Sequence, residues 1–334
     1  MTALASLLGL ELPLVQAGMG GVAGPELCLA VSGAGAAGTL ALYKEPPERV
    51  RALVTRVAEA TGRPFGVNLV PEVLSENGCL DRLDAALERL PRHGFVSFFG
   101  LPGAEAARRV RAADRGLLIQ VGTPGEAELA CRMGSHAVVL QGVEAGGHLL
   151  GSLPGGVLLR ETRARLPRAV LVLAGGIASG RDLARAVADG ADGAMAGTLF
   201  VPSTESAAHP LFKDRVVAAG SRDTVVTSVF DIGWPGRRHR VLRNPLTGSG
   251  QRRPATFIAV TEAGGRRLPV PRYSAAVPVA RTTGRVAEMA MYCGVSCAGV
   301  SGRGPAGHLV RRLRQEFQEY QECLAAGGNV FTEE

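Results

Sequence analysis

Three stretches of this sequence combine residue types that can do chemistry with a spacing that would present them to a small molecule. The run Gln141-Gly142-Val143-Glu144-Ala145-Gly146-Gly147-His148 places a histidine after two glycines at the end of an apolar stretch. A side chain titrating near neutrality, carried on a loop, suits proton transfer to or from a bound substrate. The same histidine could instead cap its loop or bond a backbone carbonyl. The turns Ala174-Gly175-Gly176-Ile177 and Ala196-Gly197-Thr198 are of the kind in which glycine lets backbone N–H groups converge on a phosphate beside a helix N-terminus. They are otherwise tight turns and nothing more.

These stretches need elements that bring them together. Short apolar runs ended by Gly, Asn or Pro predict strands at 12–19, 36–43, 65–70, 95–100, 117–122, 137–142, 170–176 and 193–200. Helix signals lie between them: Pro25-Glu26, Pro46-Pro47-Glu48, Pro124-Gly125-Glu126, and the amphipathic runs 102–114 and 181–189. Strands without polar alternation are buried on both faces, as in a parallel sheet wrapped by helices. Eight such units predict a (β/α)₈ barrel, an α/β fold. The rival, an open doubly wound sheet, is disfavoured because Gly18, Gly20, Gly21 and Gly24 do not follow the G-x-G-x-x-G spacing.

In a barrel the active site lies at the C-terminal strand ends. Those ends carry Gly18, Met19, Asn68, Ser97, Gln120, Gln141 to His148, Gly175, Gly176, Gly197 and Thr198. Gly, Gln and Asn without paired carboxylates suit close backbone approach to a large planar cofactor better than a metal or a two-acid hydrolase. No metal site is expected. Glycine, at 45 of 334 residues, exceeds its usual share of roughly 7%, yet it has no triplet period and does not imply a fibrous or disordered chain.

The formal charge is +7, but only Lys44 and Lys213 are lysines, so the excess is almost wholly arginine. The longest basic cluster, Arg237-Arg238-His239-Arg240, lacks interleaved aromatics, and nucleic-acid binding is not expected. Cys28, Cys79, Cys131, Cys293, Cys297 and Cys323 are scattered, no leader-like segment opens the sequence, and no apolar run approaches a membrane span. A cytoplasmic protein with reduced thiols is expected.

Beyond Leu211 the composition shifts to Arg, Pro, Thr and Gly with short alternating runs at 224–230 and 256–261. This predicts a small inserted lid or substrate domain over 213–283, between barrel segments 1–212 and 284–334, with helical character at 284–292 and 305–325. Trp234, Phe230, Tyr273 and Tyr292 are candidates for a substrate wall, or for ordinary packing.

The motifs resemble the nitronate monooxygenase family, formerly called 2-nitropropane dioxygenases. The resemblance rests on Gln16 to Gly21, Gly66-Val67-Asn68-Leu69, the Gln141 to His148 loop, Ala174 to Gly180, Gly190 to Phe200, Ser203 to Ser206, His209 to Lys213, Asp223-Thr224 and Arg243-Asn244. It implies FMN in a (β/α)₈ barrel beneath a smaller domain, with O₂ as co-substrate. Carried over by position, it sets Ala17, Gly18 and Met19 along the flavin, and Asn68, Gln120 and Gln141 on the ring or ribityl chain. Gly146, Gly147, Gly175, Gly176, Met195, Ala196, Gly197 and Thr198 complete the cofactor site, and His148 is the catalytic histidine. Met195 stands where many relatives have Gln, which spares backbone contacts to phosphate but removes an amide.

The implied reaction is oxidation of alkyl nitronates to a carbonyl compound and nitrite, with His148 as base or as partner to the nitro group. Similar barrels serve as FMN-dependent enoyl-thioester reductases that use NADH or NADPH. There an acyl carrier protein would be the partner, and 237–243 a candidate contact or simply a solvated face. A flavin-binding protein without turnover is a third possibility.

Overall fold

The computed structural model describes residues 1–248, 254–263 and 266–325. Positions 249–253 and 264–265 of the expected lid, and 326–334 of the closing segment, lie outside the described residues.

All eight expected strands form, as β1 (Leu14–Gln16), β2 (Gly38–Ala41), β3 (Phe65–Leu69), β4 (Phe95–Phe99), β5 (Gly116–Val121), β6 (Ala137–Gln141), β8 (Leu171–Ala174) and β9 (Gly193–Ala196). The two-residue strand β7 (Gly147–His148) lies in the loop after β6. The eight are parallel, in the order β1-β9-β8-β6-β5-β4-β3-β2. The ring closes where Gln16 N donates to Ala37 O at 2.8 Å and Ala37 N to Leu14 O at 2.9 Å. The Gln16 side chain adds a bond across the same seam, accepting from Thr39 N at 2.9 Å. The fold is therefore the (β/α)₈ barrel.

Helices follow the strands: α2 (Pro25–Gly33), α3 (Pro47–Ala60), α4 (Glu76–Leu87), α5 (Ala104–Ala112), α6 (Pro124–Arg132), α7 (Gly155–Arg165) and α8 (Gly180–Ala188). Prolines open α2, α3 and α6, where a missing N–H costs nothing. Ser179 and Asp182 form a capping box on α8. The eighth outer helix comes late: α10 (Ala306–Ala325) packs against α8 and α2, with Gly180 N donating to Glu316 Oε2 at 2.7 Å. The strands' outward side chains and the helices share one large core. A second buried cluster fills the barrel with Val15, Ala37, Phe95, Leu118, Val139, Val172 and Met195, and α1 (Ala3–Leu8) plugs its floor through Leu4, Ala5 and Leu8.

Between β9 and α10 the chain makes a long excursion. A 3-10 turn, Thr198–Phe200, replaces the end of the strand expected to run to 200. Helix α9 (Pro210–Val217) spans residue 213. Strand β10 (Thr224–Thr227) pairs antiparallel with β11 (His239–Leu242), which pairs with β7. A second sheet contains β12 (Phe257–Ala263), β13 (Arg266–Pro271) and β14 (Thr283–Gly284). Helix expected over 284–292 is limited to a 3-10 turn at Val286–Glu288. The next residues are drawn out beside β11, with Leu242 N donating to Met291 O and Cys293 N to Arg240 O, so tertiary pairing overrides local helix preference.

Inside the barrel the aromatic ring of Phe95 occupies room left by glycine on neighbouring strands. A Cβ on Gly66 would stand 2.2 Å from that ring, and one on Gly116 would stand 2.8 Å from Phe95 Cβ. Gly66→Ala is expected to destabilise by about 1–3 kcal/mol through overpacking, and Phe95→Leu in the same chain to recover part of the loss. Urea unfolding of the two single variants and the double variant measures the coupling, and additive effects would contradict it.

Candidate active site

The strand C-terminal ends open into a cavity that, with the adjoining space open to solvent, measures about 1150 Å³. Every strand-end residue set down as a cofactor or catalytic candidate lines it: Ala17, Gly18, Met19, Asn68, Gln120, Gln141, Gly146, Gly147, His148, Gly175, Gly176, Met195, Ala196, Gly197 and Thr198. Ser97 does not reach it; its carbonyl lies beneath, accepting from Asn68 Nδ2 at 3.3 Å. Trp234 and Tyr292 also line the cavity, whereas Phe230 and Tyr273 pack in a separate core cluster.

One end is a cradle of backbone donors. The N–H groups of Gly176, Ile177, Gly197 and Thr198 find no hydrogen-bond partner among the described residues. Gly176 has a φ of +81°, and a Cβ there would meet only Glu144 Cβ, at 3.9 Å, so the backbone is open to a ligand. Gly175 is glycine for packing, since a Cβ would lie 2.8 Å from Ala145 N. Thr198 Oγ1 accepts from Gly294 N at 2.9 Å, joining the cradle to the excursion. Gly18 is required by close approach of another kind: its Cβ would fall 2.3 Å from Asn68 Cβ.

The two glutamines divide. The Gln141 amide braces its own loop, donating to His148 O at 3.0 Å and accepting from Leu150 N at 2.8 Å. It holds β7 in place, and one N–H of the amide and one lone pair of its oxygen stay uncommitted among the described residues. Gln120 lines the cavity with no hydrogen bond to its side chain among the described residues, and its amide is available.

The other end surrounds His148, which is 7% exposed and whose Nε2 is buried without a partner. The Trp234 ring stacks on it with centroids 3.8 Å apart at 20°, and Tyr292 lies 5.0 Å away. His239 stands at 5.2 Å, held by Phe230 N and Arg237 O. Burial first, then the positive potential of His239, Lys44 and Arg237, pushes the His148 imidazole down to about 3. It is neutral at physiological pH. Burial raises Tyr43 to about 12 and lifts Tyr292 well above its ordinary value.

The basic cluster is neither a free patch nor a solvated face. Arg237 pairs with Glu72 at 2.7 Å, and His239 is fully buried. Arg240 donates from Nε and Nη2 to Val143 O at 3.0 and 2.8 Å, bracing the His148 loop. Only Arg238 is exposed. Cys293 and Cys297 are buried thiols behind this loop. Among the polar residues that the strand-end reading misses are Tyr43, Lys44 and Ser296, which also line the cavity; Lys44 carries a signal, being one of only two lysines.

Among the described residues no Asp or Glu lines the cavity, no cluster of His, Cys, Asp or Glu could hold a metal, and no helix is long and apolar enough to cross a membrane. Unpaired backbone N–H groups at two glycine turns, a mostly apolar lining and a buried, unpartnered imidazole nitrogen fit an elongated cofactor with a phosphate tail and a planar ring.

Comparison with known proteins agrees with the geometry. The family model for nitronate monooxygenase matches residues 1–93 and 72–316. The chain is 33% identical over 287 residues to the nitronate monooxygenase of Pseudomonas aeruginosa, covering 72% of this chain and 79% of that one. It is 34% identical over 248 residues to (3aS,4S,5R,7aS)-5-hydroxy-7a-methyl-1-oxo-octahydro-1H-indene-4-carboxyl-CoA dehydrogenase of Rhodococcus jostii, covering 74% and 67%. The structure of FabK from Thermotoga maritima superposes with a TM-score of 0.79 at 28% identity, covering 98% of this chain and 99% of that one. The chain belongs to the nitronate monooxygenase family and is a flavin-dependent oxidoreductase.

Proposed function

We propose that this protein binds FMN and oxidises small alkyl nitronates with O₂ to a carbonyl compound and nitrite. The observation that carries the reading is His148, a neutral imidazole in the lining of the cavity whose Nε2 is buried without a hydrogen-bond partner among the described residues. Family membership supplies the prior.

When bound, FMN would supply the electron-transfer chemistry between substrate and O₂. The chain's own residues bind and orient. The free N–H groups at Gly176, Ile177, Gly197 and Thr198 would hold the phosphate, with Met195 contributing backbone rather than an amide side chain. Ala17, Gly18, Met19, Asn68 and Gln120 would line the flavin, while Gly146, Gly147 and Gly175 keep the surrounding backbone close. An imidazole held near a pKa of 3 is a poor base toward a neutral nitroalkane. It serves better as a hydrogen-bond donor, in its Nε2–H tautomer, to the oxygens of a nitronate that arrives already deprotonated. Trp234 and Tyr292, from the 213–283 excursion and the segment after it, would wall the substrate and exclude water.

Resemblance to FabK and to a carboxyl-CoA dehydrogenase favours one second reading, reduction of an enoyl thioester by NADH or NADPH with a carrier as partner. A paired assay separates the two. The purified protein should be yellow, release FMN on denaturation, and generate nitrite from propane-2-nitronate under air. NADH or NADPH oxidation that requires an enoyl thioester, without nitrite release, would contradict the nitronate reading. His148→Ala should keep its FMN and lose at least about 10²-fold in kcat/KM.

The depressed titration of His148 also sets a pH dependence of stability. The folded state binds its proton only near pH 3, whereas the unfolded chain binds it near 6.5. Stability from this group is present above pH 6.5 and declines as pH falls through the window between those values. Between pH 7 and 5, wild type should lose about 2 kcal/mol more than His148→Gln. Urea midpoints of both proteins at the two pH values measure this, and parallel losses would show that His148 titrates normally.

A further inference from the structure

Lys44 follows β2 and precedes α3, on the face where the strands end. It is the one charged side chain, His148 being neutral, that lines the cavity among the described residues. The other lysine, Lys213, donates to Ser203 O at 2.7 Å. Among the described residues Lys44 has no ion pair and no hydrogen bond; its ammonium lies over the Tyr43 ring, whose centre is 5.4 Å from Nζ. The residue is exposed and lines the cavity, yet protein surrounds its ammonium closely enough that burial lowers its pKa. The nearby cation Arg237 is answered by Glu72. Lys44 contributes to the positive potential at His148, so the two groups share one end of the cavity, and the amide cradle at Gly176 and Gly197 belongs to another part of the lining. An unpaired, partly desolvated cation next to a neutral imidazole is half of an ion pair.

We infer that Lys44 is the anion-recognising residue of the substrate subsite, taking the charge of a small planar oxyanion and setting a preference for an alkyl nitronate over its neutral nitroalkane. The oxyanion part rests on the cavity alone, and the nitronate part rests on the proposed function. His148 supplies the hydrogen bond and Lys44 the charge that His148 lacks.

The test uses the flavin-loaded protein as wild type, Lys44→Met and Lys44→Arg, with flavin content and thermal midpoint checked for each. The first probe is isobutyrate, which has nearly the shape of propane-2-nitronate but cannot be oxidised by this route. By calorimetry Lys44→Met should bind it at least tenfold more weakly than wild type, and Lys44→Arg within about threefold. Isobutyramide, the neutral analogue, should not distinguish the three proteins. The second probe is turnover: Lys44→Met should raise KM for propane-2-nitronate about tenfold, with kcat much less changed. Equal isobutyrate affinity in wild type and Lys44→Met, or no binding to wild type, overturns the subsite. Lys44-dependent isobutyrate binding by a wild-type protein that releases no nitrite upholds the anion subsite and sinks the nitronate reading instead.

Discussion

The pairing of Gly147–His148 with His239–Arg240 is the contact on which the candidate site depends. It joins a loop of the barrel to a strand supplied by the late excursion, and it is reinforced from below by the Gln141 amide and from the side by Arg240 on Val143 O. Held this way, His148 enters a pocket formed by Trp234, Tyr292 and His239. Its neutrality follows from that enclosure, because desolvation penalises the imidazolium and the neighbouring cations add to the penalty. The reactive end of the cavity is therefore made by two parts of the chain that neither could make alone.

The rest of the barrel serves this arrangement by bringing strand ends into a ring. The seam between β1 and β2 closes it, α1 plugs its floor, and α10 supplies the helix that the excursion displaces to the end of the chain. Glycine is frequent for several distinct reasons. At Gly18 and Gly66 a side chain would collide with a neighbour, whereas at Gly176 the space is open and the backbone itself faces it. Only the last kind is a direct mark of a ligand.

The barrel was legible because its signal is local: each strand is a short apolar run closed by a turn residue, and eight such runs have few other arrangements. The lining of the cavity was legible for the same reason, since position at a strand end decides it. What stayed hidden depends on contacts distant in sequence. Helix preference at 284–292 gave way to pairing with β11. That Gln141 also braces β7, through His148 and Leu150, shows only in the fold. Among the four aromatic candidates, nothing local separates Trp234 and Tyr292, which line the cavity, from Phe230 and Tyr273, which do not. Lys44 was visible as a rarity in an arginine-rich chain, but its meaning lies in its having no ion-pair partner among the described residues.

Catalysis in this account divides two tasks that a protonated histidine would combine. Charge recognition falls to an ammonium at the mouth, and hydrogen bonding falls to an imidazole kept neutral by burial. The most direct measurement of the central claim is the ¹⁵N spectrum of the His148 imidazole in the flavin-loaded protein, assigned by comparison with a His148 variant and followed from pH 8 to pH 5. The account predicts one protonated and one bare ring nitrogen throughout. Two protonated nitrogens appearing near pH 6 would contradict it.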